Sequence, residues 1–217
     1  SGTPDGICLD DISISSHANT QVSLEITGTL VHDSTCPGTL ANAIQYRVTN
    51  YGGYTAQSLA VSSTNSTEFP ITVPLSATTI SSLGGSTTFS VRFNPATAGT
   101  KTSTLSATAT SPGGSNNPSI VISGTGFTSL NPAAQTNAAS NILNTKATLN
   151  GNLLFAGRCQ LATEKGFVYA QTADNADPLV GGTGVTKVVV AGATTGSYFS
   201  DLTGLNASTA YSFKAYA

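Results

Sequence analysis

The residues that could perform catalysis are few in this sequence, and their spacing does not suit the common mechanisms. A nucleophilic triad needs a Ser or Cys beside a His base. The chain of 217 residues has two histidines, His17 and His32, and no GxSxG motif. Asp33 follows His32, but neighbouring strand residues point to opposite faces and do not form a relay. A paired-carboxylate mechanism would have only Glu25, Glu68 and Glu164. We therefore expect no enzymatic activity.

Two polar stretches contain paired acidic residues, Asp10 with Asp11 and Asp174 with Asp177. Carboxylate and carbonyl oxygens are the ligands that Ca²⁺ prefers. Neither stretch follows the EF-hand or RTX pattern. We predict no cofactor. The acidic residues at these positions are either solvated turn residues or, as the alternative, ligands of a bound Ca²⁺.

The three cysteines, Cys8, Cys36 and Cys159, include no CxxC pair, which disfavours a zinc site. A disulfide and free thiols remain the two alternatives. We predict a disulfide between Cys8 and Cys36, which lie 28 residues apart and whose bond would contribute about 3–4 kcal/mol. Cys159 is then either a small core residue or a thiol whose partner lies outside this sequence.

The composition predicts an all-β protein. Only 8% of the residues are charged, while 61 are Ser or Thr and 22 are Gly. Helix surfaces normally carry Glu, Lys, Arg and Gln, whereas β-branched residues pack well on a pleated sheet and Gly supplies turns. The eight basic residues are scattered and never adjacent, which excludes the phosphate-binding patch of a nucleic-acid partner. The longest apolar runs, such as residues 188–191, are too short for membrane insertion.

Alternation of apolar and polar residues marks a series of half-buried strands. It begins at residues 20–31, where Val22, Leu24, Ile26 and Leu30 share one face, and it returns six or seven times before residue 127. The alternation stops around Pro132, which cannot join a central strand. We predict two tandem β-sandwiches, residues 1–128 and 129–217, with limited bending between them. The start without Met and the end after an alternating pattern indicate an excerpt whose last strand is cut off.

The first half resembles the Ig-like repeats of surface proteins with the choice-of-anchor D module, related to the ASH/MSP-like sandwich. The matching residues are 46–52, 69–71, 84–95, 98–101 and 122–127. In the same half, Tyr51 and Tyr54 are the candidate aromatic platform for a carbohydrate. The alternative is that both simply belong to a structural turn.

The second half resembles a fibronectin type III-like domain. Leu205, Thr209 and Tyr211 look like the Leu-x-Pro-x-Thr-x-Tyr corner, with Ala207 where Pro is usual. The resemblance implies that the Tyr211 hydroxyl bonds to upstream backbone. Residues 147–151 and 164–169 are similar to the variant found in repetitive surface proteins of gliding bacteria that use type IX secretion. Asp33-Ser34-Thr35 resembles the O-glycosylation motif of such bacteria, with Ser34 as the acceptor.

Together these resemblances imply a spacer or stalk segment of a large extracellular adhesin or filament protein at the cell surface, including the gliding-motility adhesins. Its expected partners are neighbouring Ig-like repeats of the same chain and surface glycans. The alternative is a carbohydrate-binding or accessory module of a secreted hydrolase.

Overall fold

A computed structural model describes residues 21–217. Within that range the chain forms thirteen β-strands and no helix, so the predicted all-β sandwich class is confirmed. The strands are β1 (Leu24–Thr27), β2 (Ile44–Asn50), β3 (Gln57–Ser63), β4 (Ile71–Val73), β5 (Gly85–Val91), β6 (Gly99–Thr110), β7 (Ser119–Gly126), β8 (Ala133–Leu143), β9 (Lys146–Phe155), β10 (Lys165–Gln171), β11 (Thr186–Val190), β12 (Gly196–Thr203) and β13 (Tyr211–Tyr216).

The chain forms two compact units. Of the described residues, the first contains 21–32, Asn42–Phe93 and Thr102–Ser123. The second contains Asp33–Ala41, Asn94–Lys101 and Gly124–Ala217. This division differs from the single predicted boundary at residues 128 and 129. The two short early segments belong to the second unit because they bond to residues that come much later in the chain.

The first unit is built on two antiparallel sheets, with strand orders β1-β2-β5-β4 and β3-β6-β7. Tyr46 on β2 stacks on Phe89 on β5, with ring centroids 5.5 Å apart. Phe69 and Phe93 pack at 4.9 Å, and Leu105 and Ile122 from the second sheet are also fully buried. The alternating inward residues of both sheets therefore supply the core, as the period-2 pattern predicts.

The first predicted strand is shorter than its sequence pattern. Val22, Leu24 and Ile26 are buried as expected, but Leu30 is 51% exposed. β1 ends at Thr27, and Gly28 follows it where a Cβ would lie 2.4 Å from the Tyr46 ring. The alternation breaks at this close approach, so Leu30 no longer faces the core.

The second unit has two three-stranded antiparallel sheets, β12-β9-β8 and β11-β10-β13. Its core consists of Leu149, Leu153, Phe167, Tyr198 and Leu202. Gly151 lies at the centre, because a Cβ there would come within about 3 Å of three core side chains, those of Phe167, Tyr198 and Ala215. Glycine at this position lets the two sheets approach closely.

β13 is an edge strand among the described residues, and its hydrogen bonds show which groups face outward. The Thr172 N–H donates to the Ala210 carbonyl at 2.9 Å, continuing the β10–β13 ladder. In an antiparallel pair the bonded residues alternate, so Ser212 and Lys214 bond to β10, and Tyr211 and Phe213 direct their backbone groups to the open edge. Accordingly, the Ala215 N–H donates away from β10, to Thr136 Oγ1 on β8 at 2.8 Å.

Candidate functional site

A disulfide in the second unit joins Cys36 to Cys159, with Cα atoms 5.4 Å apart and 123 residues of sequence separation. The predicted Cys8–Cys36 pair is therefore wrong, and so is the interpretation of Cys159 as a core residue or as a thiol paired outside this sequence. Cys8 lies outside the described residues. Pairing follows Cα distance, and here it is the tertiary fold, not sequence proximity, that brings the partners together.

Cys36 belongs to the short segment Asp33–Ala41, which is held by backbone hydrogen bonds. The Thr35 N–H donates to the Thr125 carbonyl at 3.2 Å, and the Phe127 N–H donates to the Thr35 carbonyl at 2.8 Å. The Gly38 N–H donates to Pro95 at 2.8 Å. The segment thus runs as an added parallel strand beside the end of β7.

Cys159 lies in a tight loop after β9. Gly157 has φ +95° and Cys159 has φ +67°, and a Cβ at Gly157 would lie 2.0 Å from the Gln160 carbonyl oxygen. Arg158 and Leu130 exchange two backbone hydrogen bonds of 2.8 and 2.9 Å. Glycine at residue 157 is therefore required for the turn that aims Cys159 at Cys36.

The Arg158 side chain closes over the same region. Its guanidinium lies 5.0 Å from the centroid of the Phe127 ring, a distance suited to a cation–π contact. Its Nε donates to the Thr128 carbonyl at 3.1 Å. We name the group Thr35, Cys36, Phe127, Leu130, Arg158 and Cys159 the disulfide clamp.

The clamp combines one covalent bond with several weaker interactions around residues 124–130. Both cysteine residues are half-buried. The chemistry that this arrangement supports is thiol–disulfide exchange. Sequence reasoning missed the site, although both cysteines stand beside turn-forming glycines, Gly38 and Gly157.

The tyrosine loop of the first unit is the second candidate site. Tyr51 is 57% and Tyr54 is 41% exposed, and Leu83, 80% exposed, donates its N–H to the Gly52 carbonyl of this loop at 3.0 Å. Asn50, fully buried, accepts from the Gly52 N–H and donates to the Tyr54 carbonyl, at 3.0 and 2.7 Å. The loop therefore presents exposed aromatic rings on a fixed backbone.

Of the residues considered for triad chemistry, the structure describes His32 and Asp33. His32 is buried and its Nε2 lies 3.1 Å from the Tyr46 hydroxyl. The Phe69 ring meets it edge-on at 5.5 Å. Asp33 is exposed. His17 lies outside the described residues.

The predicted calcium ligands are described only in part, since Asp10 and Asp11 lie outside residues 21–217. Asp174 and Asp177 are exposed, and Asp177 forms an ion pair with Lys214. No cluster of three or more His, Cys, Asp or Glu residues occurs in the described part of the chain. Calcium binding at these positions stays a prediction.

Tyr211 occupies a corner at the start of β13. Its hydroxyl accepts a hydrogen bond from the Asn206 N–H at 3.1 Å, the interaction that a tyrosine corner requires. Thr209 Oγ1 donates to the Ala207 carbonyl at 3.2 Å, and the Leu205 N–H donates to Thr145 at 3.0 Å. These bonds connect the loop before β13 to the turn between β8 and β9.

An apolar cleft of about 1010 Å³ opens beside this corner. Its lining includes Leu205, Tyr211 and Phe213, together with Ile142 and Leu143, which are 71% and 67% exposed. The outward backbone groups of β13 lie along the same edge. The second sandwich is thus open at one flank.

Comparison with known proteins yields no assignment: the chain matches no family model, and no curated protein matches it. Within residues 21–217 there is no helix of the length and apolar character needed to cross a membrane. Ser34 is exposed, and its O-glycosylation stays a prediction.

Proposed function

We propose that this chain is a spacer of an extracellular surface protein, a structural segment that projects a binding region away from the cell. The observation that carries the proposal is the disulfide clamp. An unstructured segment would leave its backbone free, whereas residues 124–130 of the second unit are tied by the Cys36–Cys159 bond, by paired backbone bonds and by Arg158. Such a disulfide suits an oxidising setting outside the cytosol.

Further support comes from the composition. The outer faces of the strands are rich in Ser and Thr with little charge, as in the adhesin repeats that the sequence resembles. The finer setting, a gliding-motility adhesin exported by type IX secretion, rests on the resemblance of residues 147–151 and 164–169. Neighbouring repeats of the same kind would be its partners.

The spacer role can be tested by replacing this region within the full-length surface protein in the source cell. A spacer contributes length and stiffness rather than specific contacts. Exchange of this region for an unrelated pair of β-sandwiches should therefore preserve attachment to the substratum, whereas deletion should reduce it. Loss of attachment after the exchange, with surface display intact, would reject the spacer role.

The tyrosine loop favours one other candidate function, glycan binding. Exposed aromatic rings on a fixed backbone are the platforms on which sugars stack, and Tyr51 and Tyr54 fit that description. A glycan array with the purified chain tests it. Signal that disappears with Tyr51→Ala and Tyr54→Ala, but persists with Phe199→Ala at an exposed aromatic site elsewhere in the chain, would support binding. No signal for the unchanged protein would reject it.

A further inference from the structure

The covalent topology of the second unit determines how tension would travel through the chain. We infer that the Cys36–Cys159 disulfide is a shortcut for mechanical load, so that a pull on the two ends bypasses the residues between the cysteines. The inference deepens the proposed spacer function, because a spacer at a cell surface is stretched between its anchor and its binding end.

The bypassed loop is large. The two cysteines are 123 residues apart, and the loop between them contains β2 to β9. Tension instead follows the residues before Cys36, crosses the two sulfur atoms and continues from Cys159 through β10 to β13. Most of the first unit therefore lies outside the load path while the bond is intact.

Backbone contacts show which strand the disulfide keeps out of the load path. Val31 and Thr35 form parallel bridges to Ser123 and Gly126 of β7, and Val22 forms one to Ser115, before β7 begins. Without the disulfide, force would enter along residues 22–35 and leave through the end of β7, and the parallel pairing would be sheared. With the disulfide, the segment before Cys36 is still pulled, but the force leaves at Cys36 and does not pass along β7.

Reduction converts the bypassed loop into extensible chain. At about 3.5 Å per residue, the 123-residue separation corresponds to roughly 430 Å of hidden length. A thiolate of the surroundings would attack one of the two sulfurs, form a mixed disulfide with that cysteine and release the other cysteine as a thiolate. Both cysteine residues are half-buried and not fully enclosed. The chain is in this sense a redox-gated extensible element.

Single-molecule stretching of the 217-residue chain, held by peptide tags at both ends, tests the inference. Under oxidising conditions the fully stretched chain should stop roughly 430 Å short of its length in phosphine reductant. Cys8→Ser should behave like the unchanged chain, and the double variant Cys36→Ser, Cys159→Ser should give the long form without reductant. This readout depends on covalent connectivity, so it holds even if a variant fails to fold.

Two outcomes would overturn the inference. Equal lengths with and without reductant would show no shortcut. A shortfall of only roughly 100 Å would show the 28-residue Cys8–Cys36 loop instead. Either result leaves the spacer proposal to be judged by the replacement experiment, so the two failures are distinguishable.

A matched pair of core variants locates the load. Val91 on β5 and Val168 on β10 are equally buried, at 0% and 1% exposed, but only Val168 lies on the load path. In the oxidised chain Val168→Ala should lower the force at which the second unit unfolds, whereas Val91→Ala should leave that force unchanged and affect only the detachment of β1, which precedes Cys36. In the reduced chain Val91→Ala should also lower the force at which β2 to β9 extend. Extension of β2 to β9 in the oxidised chain, or an unchanged second-unit force for oxidised Val168→Ala, would overturn the inference.

Discussion

Asn50 is the residue on which the tyrosine loop depends. Its side chain is fully buried and makes four hydrogen bonds to backbone: Oδ1 accepts from Gly52 and Ser23, and Nδ2 donates to Tyr54 and Ser81. A Cβ on Gly52 would lie 2.1 Å from the Gln21 carbonyl oxygen. The Asn-x-Gly sequence is therefore required by packing, and not only by turn geometry.

Asn50→Ala should lower the free energy of unfolding by about 2–3 kcal/mol, because it leaves buried backbone donors and acceptors without partners. Asn50→Asp should cost a similar amount, since the carboxylate cannot donate to Tyr54 and Ser81. Urea denaturation measures both. Asn137→Ala, on an exposed site of β8, is the control; if Asn50→Ala were equally harmless, the role of this side chain would be refuted.

Tyr46 should make the first unit sensitive to alkali. Burial raises the pKa of Tyr46 to about 12, above the value of about 10 for an exposed tyrosine. The stabilising effect is complete below pH 10 and is lost as pH rises from 10 to 12, because the unfolded chain then releases this proton first.

Two pKa units correspond to about 3 kcal/mol. Denaturation curves at pH 9, 10 and 11 should show this decline, and Tyr46→Phe should flatten it, although it also loses the hydrogen bond to the Thr29 carbonyl. Tyr198→Phe is the matched comparison, because burial also raises the pKa of Tyr198. An unchanged slope in Tyr46→Phe would show that other groups control the alkaline transition.

At the scale of the strand, β13 offers a test of the deduced register. The amides of Ser212 and Lys214 bond to β10, while those of Tyr211 and Phe213 face the open edge. Hydrogen exchange followed by NMR on the 217-residue chain should therefore alternate along β13, slow at the even positions and fast at Tyr211 and Phe213.

Ala215 is the internal control for this pattern. Its amide donates to Thr136 Oγ1, so it should exchange more slowly than Phe213, and Thr136→Val should remove that difference. Uniform protection along β13 would mean that another strand covers the edge in solution.

At the scale of the whole molecule, the disulfide is the largest single constraint. Closing a loop of 123 residues restricts the unfolded chain by up to about 5 kcal/mol in the chain-entropy model. Cys159→Ser should therefore lower the midpoint of chemical denaturation clearly, and Cys8→Ser should leave it unchanged. Equal effects of the two substitutions would contradict the assigned pairing.

The sequence by itself determined the fold class and most of the strands. Alternation at β1, β2, β5 and β6 is a local property, because a half-buried strand needs apolar residues at every second position. The corner at Tyr211 was expected from the resemblance to a fibronectin type III-like domain. Composition alone excluded helical surfaces, since the usual helix-forming polar residues are scarce.

Only the tertiary structure decided the partner of Cys36, the exposure of Leu30 and the assignment of residues 33–41 to the second unit. Each of these depends on contacts between residues far apart in sequence, such as Thr35 with Thr125 or Cys36 with Cys159. The sequence prediction paired Cys36 with Cys8, and closing the longer loop to Cys159 costs more chain entropy. In the folded chain, strand pairing has already met that entropic cost, and it places Cys159, which is distant in sequence, next to Cys36 in space.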